Sequence, residues 1–356
     1  MEPAHSGERQ AATDRVVSVA GSFGADLDVL DGLPGSTGHP LAPDQPVHID
    51  AAITLGRALV ENLSRVVLGT PQALTAAAMA ALSGGHLLIE DVPGVGKTVL
   101  ARALASSLGA ELSRVQGHPD LLPSDVTGVS VFAPDTGTWE FRPGPVFAHV
   151  VLVDELNRTP PRTQAALLET MEEQQVSVDG ESWPLPRPHL VIATQNPFSQ
   201  LGTYPLVESQ LDRFALATAI GYPDADTEER LVQHGGGKFA LGELRPVCTT
   251  QEWLQAQRAT ESVDLAPSVA RYAVALCRAS RNASGVRLGA SPRAAIWLIR
   301  SAQAHAILSG RPFVTPDDVK AVAVACLAHR LLTDEGVEQG VAVVRGLLDV
   351  TPTPRP

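Results

Sequence analysis

The sequence lacks the features that would anchor it in a membrane or cross-link it. Its three cysteines, Cys248, Cys277 and Cys326, lie far apart in no CxxC or Cys/His pattern, so neither a zinc site nor a disulfide framework is expected. No apolar run approaches the roughly 18 residues of a membrane-spanning helix, and the amino terminus lacks the basic and apolar regions of a signal peptide. We expect a cytoplasmic protein without membrane insertion.

Positive charge is also scarce. Lys and Arg number 27 against 39 Asp and Glu, which gives a net charge of −12. Proteins that bind nucleic acid cluster Lys and Arg against the phosphates, so nucleic acid is not expected as the main partner. The hydrophobic content of 44% and charged content of 19% are those of an ordinary globular protein with a sizeable core.

Composition and periodicity divide the chain into four parts. Residues 1–47 contain six Gly, five Pro, seven acidic and two basic residues, and they predict a disordered acidic arm. Residues 48–222 alternate helical and strand patterns and predict an α/β domain. Strand signals then give way to helical ones, so residues 223–350 predict a smaller all-helical domain. Residues 351–356 are expected to be a flexible tail.

Short motifs predict the elements of the α/β domain. Two helices come first, the second with Thr70 as its cap, and the strand HLLIE follows. The nearly continuous apolar runs HVVLVDE and HLVIATQ are typical of buried parallel strands, which predicts a parallel sheet between helices. GVSVFAPDTGTWEF and QVSVDGESWPL predict two inserted β-hairpins. In the helical domain, Ser291 and Thr315 are expected to cap helices.

A glycine-rich loop between the first strand and the next helix predicts a phosphate-binding site. In DVPGVGKT the backbone N–H groups and the helix dipole would cradle phosphates, the lysine would reach the β- and γ-phosphates of ATP, and the threonine hydroxyl would bind Mg²⁺. The first position is aspartate, where the strict motif has glycine. The predicted nucleotide-binding residues are Asp91, Pro93, Gly94, Val95, Gly96, Lys97, Thr98 and Val99.

Polar residues follow two other predicted strands. Asp154 and Glu155 end the run VVLVDE, and parallel strands place such residues at the nucleotide cleft. We expect Asp154 to hold Mg²⁺ and Glu155 to polarise the attacking water; the alternative is a pair of solvated strand-end acids. Asn196, after HLVIATQ, is expected to sense the γ-phosphate, although a turn asparagine would also fit.

Two arginines are further candidates for phosphate contact. Arg213 follows a loop in SQLDRF, and Arg293 opens a helix in SPRA. Guanidinium groups stay charged and present a rigid fork to phosphate oxygens. Either arginine could instead form a surface ion pair.

Seven separated motifs, in order, carry a family resemblance. LIEDVPGVGKT, LLPSDVTG, FRPGPVF, LVDELNR, ATQNP, LDRF and SPRA resemble the signatures of the MoxR family of AAA+ ATPases over about residues 48–332. The resemblance implies a P-loop NTPase core of the αβα type with a parallel sheet and two β-hairpin insertions, followed by a helical lid domain. It also implies ATP and Mg²⁺ as cofactors.

The resemblance further implies a homo-oligomeric, usually hexameric ring. Arg213 would reach the neighbouring subunit's γ-phosphate in trans, Arg293 would act in cis from the lid, and Arg158 could join an intersubunit network. Aromatic residues of the hairpins, which otherwise serve packing, would contact a partner: Trp139, Phe141 and Trp183. The sequence reads Gly117-His118 where the family commonly has a bulky residue.

The leading hypothesis is an ATPase that remodels, matures or activates a partner. The family works with separate proteins that carry a von Willebrand factor A domain, and this chain contains no such domain. The alternatives are a nucleotide-gated scaffold with little motor activity, a DNA-remodelling ATPase, and a metal-chelatase motor subunit, which share this architecture.

Overall fold

The structure of the chain, a computed structural model, describes residues 48–68, 70–196, 202–233 and 241–354. The predicted disordered arm, residues 1–47, lies outside the described residues, as does the end of the predicted tail. No helix within the described ranges is long and apolar enough to cross a bilayer.

The described residues contain strands and helices in an alternating order until the last third of the chain. The strands are β1 (Leu87–Glu90), β2 (Leu112–Gln116), β3 (Gly128–Ala133), β4 (Thr138–Pro143), β5 (Val150–Asp154), β6 (Gln175–Val178), β7 (Glu181–Pro184), β8 (Leu190–Gln195), β9 (Leu216–Thr218), β10 (Val286–Leu288) and β11 (Leu332–Thr333). The helices are α1 (Ile49–Ser64), α2 (Pro71–Ser83), α3 (Lys97–Ser107), α4 (Pro123–Thr127), α5 (Pro161–Glu173), α6 (Glu208–Leu211), α7 (Ala225–Gln233), α8 (Thr250–Glu261), α9 (Pro267–Ser280), α10 (Pro292–Leu308), α11 (Pro316–Leu327) and α12 (Val337–Val350).

A five-stranded parallel sheet lies at the centre of the predicted α/β domain. Its strand order is β2-β5-β8-β1-β9, and every neighbouring pair is parallel. The carboxyl ends of β1, β5 and β8 therefore meet at one edge, where the loop after β1 and the polar residues after β5 and β8 come together.

Alternate residues of each central strand enter different cores. In β5, Val150 and Leu152 pack into the core beneath α1, α2 and α3, whereas Val151 and Val153 pack into the core beneath α5. All four side chains are buried. Because both faces of the sheet are covered at its centre, β1, β5 and β8 are almost wholly apolar, which is the pattern that predicted them.

The helical region after β9 packs against α1 and α2. Trp253 of α8 is completely buried, and its Nε1 donates a hydrogen bond of 2.8 Å to the carbonyl of Ala81. The helical lid is confirmed, with an additional short antiparallel ribbon of β10 and β11 that was not predicted. Its boundary at residues 222 and 223 stays a prediction.

Two of the three predicted caps form. Ser291 accepts a hydrogen bond from the N–H of Ala294, and Thr315 accepts one from Asp318. Thr70 precedes α2 as expected, but its hydroxyl makes no cap bond, because its backbone (φ −138°, ψ 78°) is outside the usual cap geometry.

Both predicted hairpins are present, β3 with β4 and β6 with β7. Gly137 has a φ of 68°, and the second turn places Asp179 and Gly180 at φ 53° and 85°, the left-handed conformations that tight hairpins need. Phe141 stacks on Trp183 with ring centroids 4.6 Å apart, so an aromatic contact joins the two hairpins.

Candidate nucleotide-binding site

The loop between β1 and α3 is shaped to receive phosphate. Gly94 and Gly96 have φ values of 87° and 100°, which side chains disfavour, and a Cβ on either would meet no atom within 4 Å. The space beside the loop is therefore open. Helix α3 begins at Lys97, so the unpaired N–H groups of its first turn and its dipole favour an anion there.

Lys97, the first residue of α3, directly follows this loop. Its Nζ donates a 2.5 Å hydrogen bond to the backbone carbonyl of Asp91. Burial lowers the pKa of Lys97, while the surrounding carboxylates oppose that effect. The ammonium group thus has one protein acceptor and further donors to offer to a phosphate.

The loop opens into a cleft of about 370 Å³, a size typical of small-molecule sites. Six of the eight predicted nucleotide-binding residues line it, and Asp91 and Val95 do not. The lining residues are Pro93, Gly94, Gly96, Lys97, Thr98, Val99, Arg114, Gln116, Asp154, Glu155, Thr194 and Asn196.

Asp91 instead ties the phosphate loop to the segment that follows β9. Its Oδ2 accepts hydrogen bonds of 2.6 Å from the N–H groups of both Ile220 and Gly221, and its Oδ1 accepts one of 2.7 Å from Val92. The side chain is buried, with 8% exposed. The aspartate at the first motif position therefore holds the start of the connection to the lid region.

Asp154 is the buried carboxylate of the cleft. Its Oδ1 accepts a 3.3 Å hydrogen bond from Thr194, and its Oδ2 lies 3.5 Å from the hydroxyl of Thr98. The Nε of Arg114 donates a 2.7 Å bond to the same Oδ2. A guanidinium thus contacts the oxygen that faces Thr98, and a carboxylate beside a hydroxyl is an oxygen donor set of the kind that suits Mg²⁺.

Glu155 lies in a turn just beyond the strand. Strand β5 ends at Asp154, and Glu155 has the left-handed backbone values φ 56° and ψ 50°. Its N–H donates a 2.9 Å hydrogen bond to the hydroxyl of Thr194, and its Oε2 lies 3.1 Å from Nη1 of Arg158. A glutamate in this rarely populated conformation indicates a constrained site.

Gly117 allows the close approach of backbone at this turn. Its N–H donates a 2.7 Å hydrogen bond to the carbonyl of Asp154, and a Cβ at Gly117 would lie 2.2 Å from the carbonyl oxygen of Glu155. The glycine that departs from the family pattern therefore fits the local geometry.

Asn196 lies on the wall of the cleft, directly after β8. Its backbone carbonyl accepts a 3.3 Å hydrogen bond from Nδ2 of Asn157. The structure thus brings together the ends of three strands as predicted: the loop after β1, the acids after β5 and the amide after β8.

Among the described residues that line the cleft, neither Arg213 nor Arg293 is found. They lie together at Glu172, near the end of α5. Nε of Arg213 lies 3.2 Å from Oε2 of Glu172, and Nη2 of Arg293 donates a hydrogen bond to Oε1. Two residues predicted separately from the sequence thus share one carboxylate.

A buried ionic cluster supports this arginine pair. The Nε of Arg330, whose side chain is 1% exposed, donates a 3.1 Å hydrogen bond to Asp212, the residue before Arg213. The hydroxyl of Ser291, which caps the helix that carries Arg293, lies 2.9 Å from the other oxygen of Asp212. The positions of the two arginines are therefore linked through their chain neighbours.

Sequence reasoning missed three residues that line the cleft: Arg114, Gln116 and Thr194. Thr194 could have been noticed as a polar residue within an apolar strand. Arg114 and Gln116 belong to β2, whose sequence LSRVQ has no apolar run to mark it as a strand.

Comparison with known proteins agrees with this geometry. The model of the "ATPase family associated with various cellular activities (AAA)" matches residues 86–216, and that of the "AAA lid domain" matches residues 278–346. Chaperone MoxR1 of Mycobacterium tuberculosis is 36% identical over 288 residues, which are 78% of this chain and 76% of MoxR1. The chain belongs to the MoxR family of AAA+ ATPases.

Other relatives extend the likeness over nearly their whole length. Protein MoxR of Paracoccus denitrificans is 32% identical over 321 residues, 81% of this chain and 91% of that protein. The uncharacterized protein YeaC of Bacillus subtilis is 43% identical over 305 residues, 84% and 95% of the two chains. A Cytophaga hutchinsonii crystal structure, 32% identical, superposes with a TM-score of 0.77, covering 86% of this chain and 98% of its own. The MoxR family resemblance is thereby confirmed.

Proposed function

We propose that this MoxR-family protein hydrolyses ATP with Mg²⁺ in a ring of identical subunits, hexameric in the leading hypothesis, and uses the cycle to remodel a partner protein. The observation that carries the proposal is that the predicted site residues lie in two separate places. One cleft holds the phosphate loop, both acids and Asn196, while Arg213 and Arg293 are gathered elsewhere.

The residues of the cleft fit Mg·ATP. The N–H groups of the Gly94–Gly96 loop and Lys97 would hold the β- and γ-phosphates, while Thr98 and Asp154 would hold the metal. When bound, Mg²⁺ supplies positive charge that stabilises the developing negative charge on the phosphates.

Glu155 is the proposed general base. Its side chain lines the cleft, and the hydrogen bond from its backbone N–H to the hydroxyl of Thr194 fixes the turn that carries it. It would orient and deprotonate the water that attacks the γ-phosphate, with Asn196 helping to position that water. The ion pair with Arg158, 3.1 Å from Oε2, orients the carboxylate of Glu155.

The proposed site is completed by a neighbouring subunit. Phosphoryl transfer commonly needs an arginine that stabilises the transition state. Among the described arginines only Arg114 lines the cleft, which favours an arginine supplied by the neighbouring subunit. Because Arg293 lies beside Arg213, we propose the trans role for both, in place of the cis role that the resemblance implies for Arg293.

A mixing experiment tests the shared site. Glu155→Gln and Arg213→Ala chains, each inactive alone, are mixed before ATP is added. In a shared-site ring, an interface that combines the intact Glu155 of one chain with the intact Arg213 of the other regains turnover. Arg162→Ala, an exposed arginine ten residues before Glu172 on the same helix, is the control and should keep normal turnover.

The outcomes separate the hypotheses. Restored turnover in the mixture, with an ATP-dependent rise in mass, supports the shared-site ring. Full turnover of Arg213→Ala alone, or a mixture that stays inactive although mixed oligomers form, would reject it. ATP-dependent assembly with no turnover in the unmodified chain would favour the nucleotide-gated scaffold instead.

The proposed partner surface lies on the first hairpin. Trp139 is 71% exposed and Phe132 47% exposed, and their rings meet edge to face at 5.6 Å. Phe141 and Trp183 are stacked on each other, so the free aromatic surface is the Phe132–Trp139 pair. We propose that this pair contacts a separate protein with a von Willebrand factor A domain in the cytoplasm.

A further inference from the structure

Glu172 stands between two arginines that come from different parts of the chain. It lies one residue before the end of α5, Arg213 lies in the loop before β9, and Arg293 lies in the first turn of α10. The two arginine side chains are 28% and 40% exposed and that of Glu172 is 35% exposed. All three groups therefore remain accessible from solvent.

The two arginines contact Glu172 differently: one donates a hydrogen bond, and the other forms only an ion pair. Arg293 donates a hydrogen bond to Oε1, and this bond lowers the pKa of Glu172, so the carboxylate is ionised at neutral pH. Arg213 lies at ion-pair distance from Oε2, but its Nε is not aligned for a hydrogen bond with any of the described residues. The arginine pair is thus neutralised only in part by one carboxylate.

The surrounding contacts keep both guanidiniums at the same place. Asp212 binds Arg330 and Ser291, which fixes the loop of Arg213 against the start of α10. Two guanidinium groups held around one anion form a site that would bind a phosphate more strongly than a carboxylate, because phosphate has more charge and more acceptor oxygens.

We propose that Glu172 is the counter-anion of Arg213 and Arg293 in the isolated subunit, where it holds the two arginines in position. When the ring forms, the γ-phosphate of the neighbouring subunit's ATP replaces Glu172 as the anion that the two arginines bind. The proposal rests on the shared-site ring proposed above. Glu172 is a positioning residue that acts through Arg213 and Arg293 and does not touch the nucleotide. It sets how much ATP the ring needs for assembly.

The Glu172→Gln variant removes the competing charge and keeps the shape of the side chain. Because the carboxylate no longer competes with phosphate, nucleotide-dependent assembly should need about threefold to tenfold less ATP, as expected for the loss of partly exposed ion pairs. Glu173→Gln, the next residue on the same helix, is the control; Glu173 is exposed and forms no salt bridge within the described residues.

The experiment measures mass in solution by sedimentation velocity across a titration with Mg²⁺ and a non-hydrolysable ATP analogue. The unmodified chain, Glu172→Gln and Glu173→Gln are compared, and thermal unfolding of each is recorded. The same Glu172→Gln change in an Arg213→Ala, Arg293→Ala background should leave the analogue concentration at half-assembly unchanged, because the groups through which Glu172 acts are missing.

Each outcome either supports or overturns the proposed role of Glu172. A lower half-assembly concentration in Glu172→Gln alone supports the proposal. An unchanged or higher concentration, with the unmodified chain assembling normally, overturns the role of Glu172 and leaves the ring intact. Loss of folding in Glu172→Gln overturns it too, because it would show a structural role. An unmodified chain that never assembles with nucleotide overturns both the ring and this proposal.

Discussion

The contact between Asp91 and the segment after β9 predicts a large loss of stability on mutation. Asp91→Ala removes the acceptor of two N–H groups, those of Ile220 and Gly221, each 2.6 Å from Oδ2. Asp91 is buried, as is Ile220, so water cannot fully replace the lost acceptor. A glycine at this position, as in the strict phosphate-loop motif, would leave the same two donors unpaired.

The magnitude follows from the number of bonds. A hydrogen bond to a charged group contributes about 1.5–3 kcal/mol to stability, so losing two lowers the free energy of unfolding by roughly 3–6 kcal/mol. Domain stabilities are typically about 5–15 kcal/mol, so this is a large fraction. Asp91→Asn should lose less, because an amide oxygen in the place of Oδ2 can still accept from both N–H groups, while its NH₂ group would face the N–H of Val92 and the charge is lost.

Urea unfolding followed by circular dichroism measures the effect. Asp135→Ala, in the exposed turn between β3 and β4, is the control and should change the free energy of unfolding by less than about 0.5 kcal/mol. Nucleotide affinity should fall along with stability in Asp91→Ala, because the carbonyl of Asp91 accepts the hydrogen bond of Lys97. A loss below about 1 kcal/mol would refute the proposed connection between the phosphate loop and the lid segment.

Three further predictions use other parts of the molecule. Glu155→Gln should bind ATP normally but lose turnover by about 10²–10⁴-fold, measured by fluorescent-nucleotide binding beside an ATPase assay; unchanged turnover would remove Glu155 from the mechanism. Trp139→Ala should keep the basal turnover but fail to retain the partner protein that the unmodified chain co-purifies; equal recovery would contradict the hairpin surface. Burial lowers the pKa values of His86, His189 and His329 to about 3, 4 and 3, so each takes up a proton only on unfolding below its ordinary pKa of 6.5. Stability should therefore be lost as pH falls from about 6.5 toward 4, by about 1.4 kcal/mol per pH unit for each histidine, in urea titrations; a flat profile would contradict the buried neutral state.

The sequence predicts the centre of the sheet better than its edges. Strands β1, β5 and β8 are buried on both faces, which forces continuous apolar runs that can be recognised without a structure. Strands β2 and β9 lie at the two edges of the sheet. β2 is largely unburied and β9 has only three residues, so neither carries a clear apolar pattern, and neither was predicted.

The same distinction applies to the site. Lys97, Thr98, Asp154 and Glu155 belong to short motifs, and their predicted meeting at the carboxyl edge follows from the parallel sheet alone. The partnership of Arg213 with Arg293 depends on how the lid region packs beside α5, and no local pattern encodes that packing. Local motifs and the parallel sheet therefore predicted the residues that meet at the cleft, but they did not predict the meeting of Arg213 and Arg293.

Two carboxylates hold the lid region, the buried Asp91 and the partly buried Asp212. Asp91 binds the segment at Ile220 that leads into the lid, and Asp212 binds Arg330 and Ser291 within it. A movement of the phosphate loop on nucleotide binding must therefore either carry the lid segment with it or break charged hydrogen bonds worth several kcal/mol. Ser291 caps the helix whose first turn carries Arg293, so in the proposed ring the same movement would reposition Arg293. We therefore expect Asp91 and Asp212 to couple the nucleotide site of one subunit to the arginine pair that this subunit offers to the next.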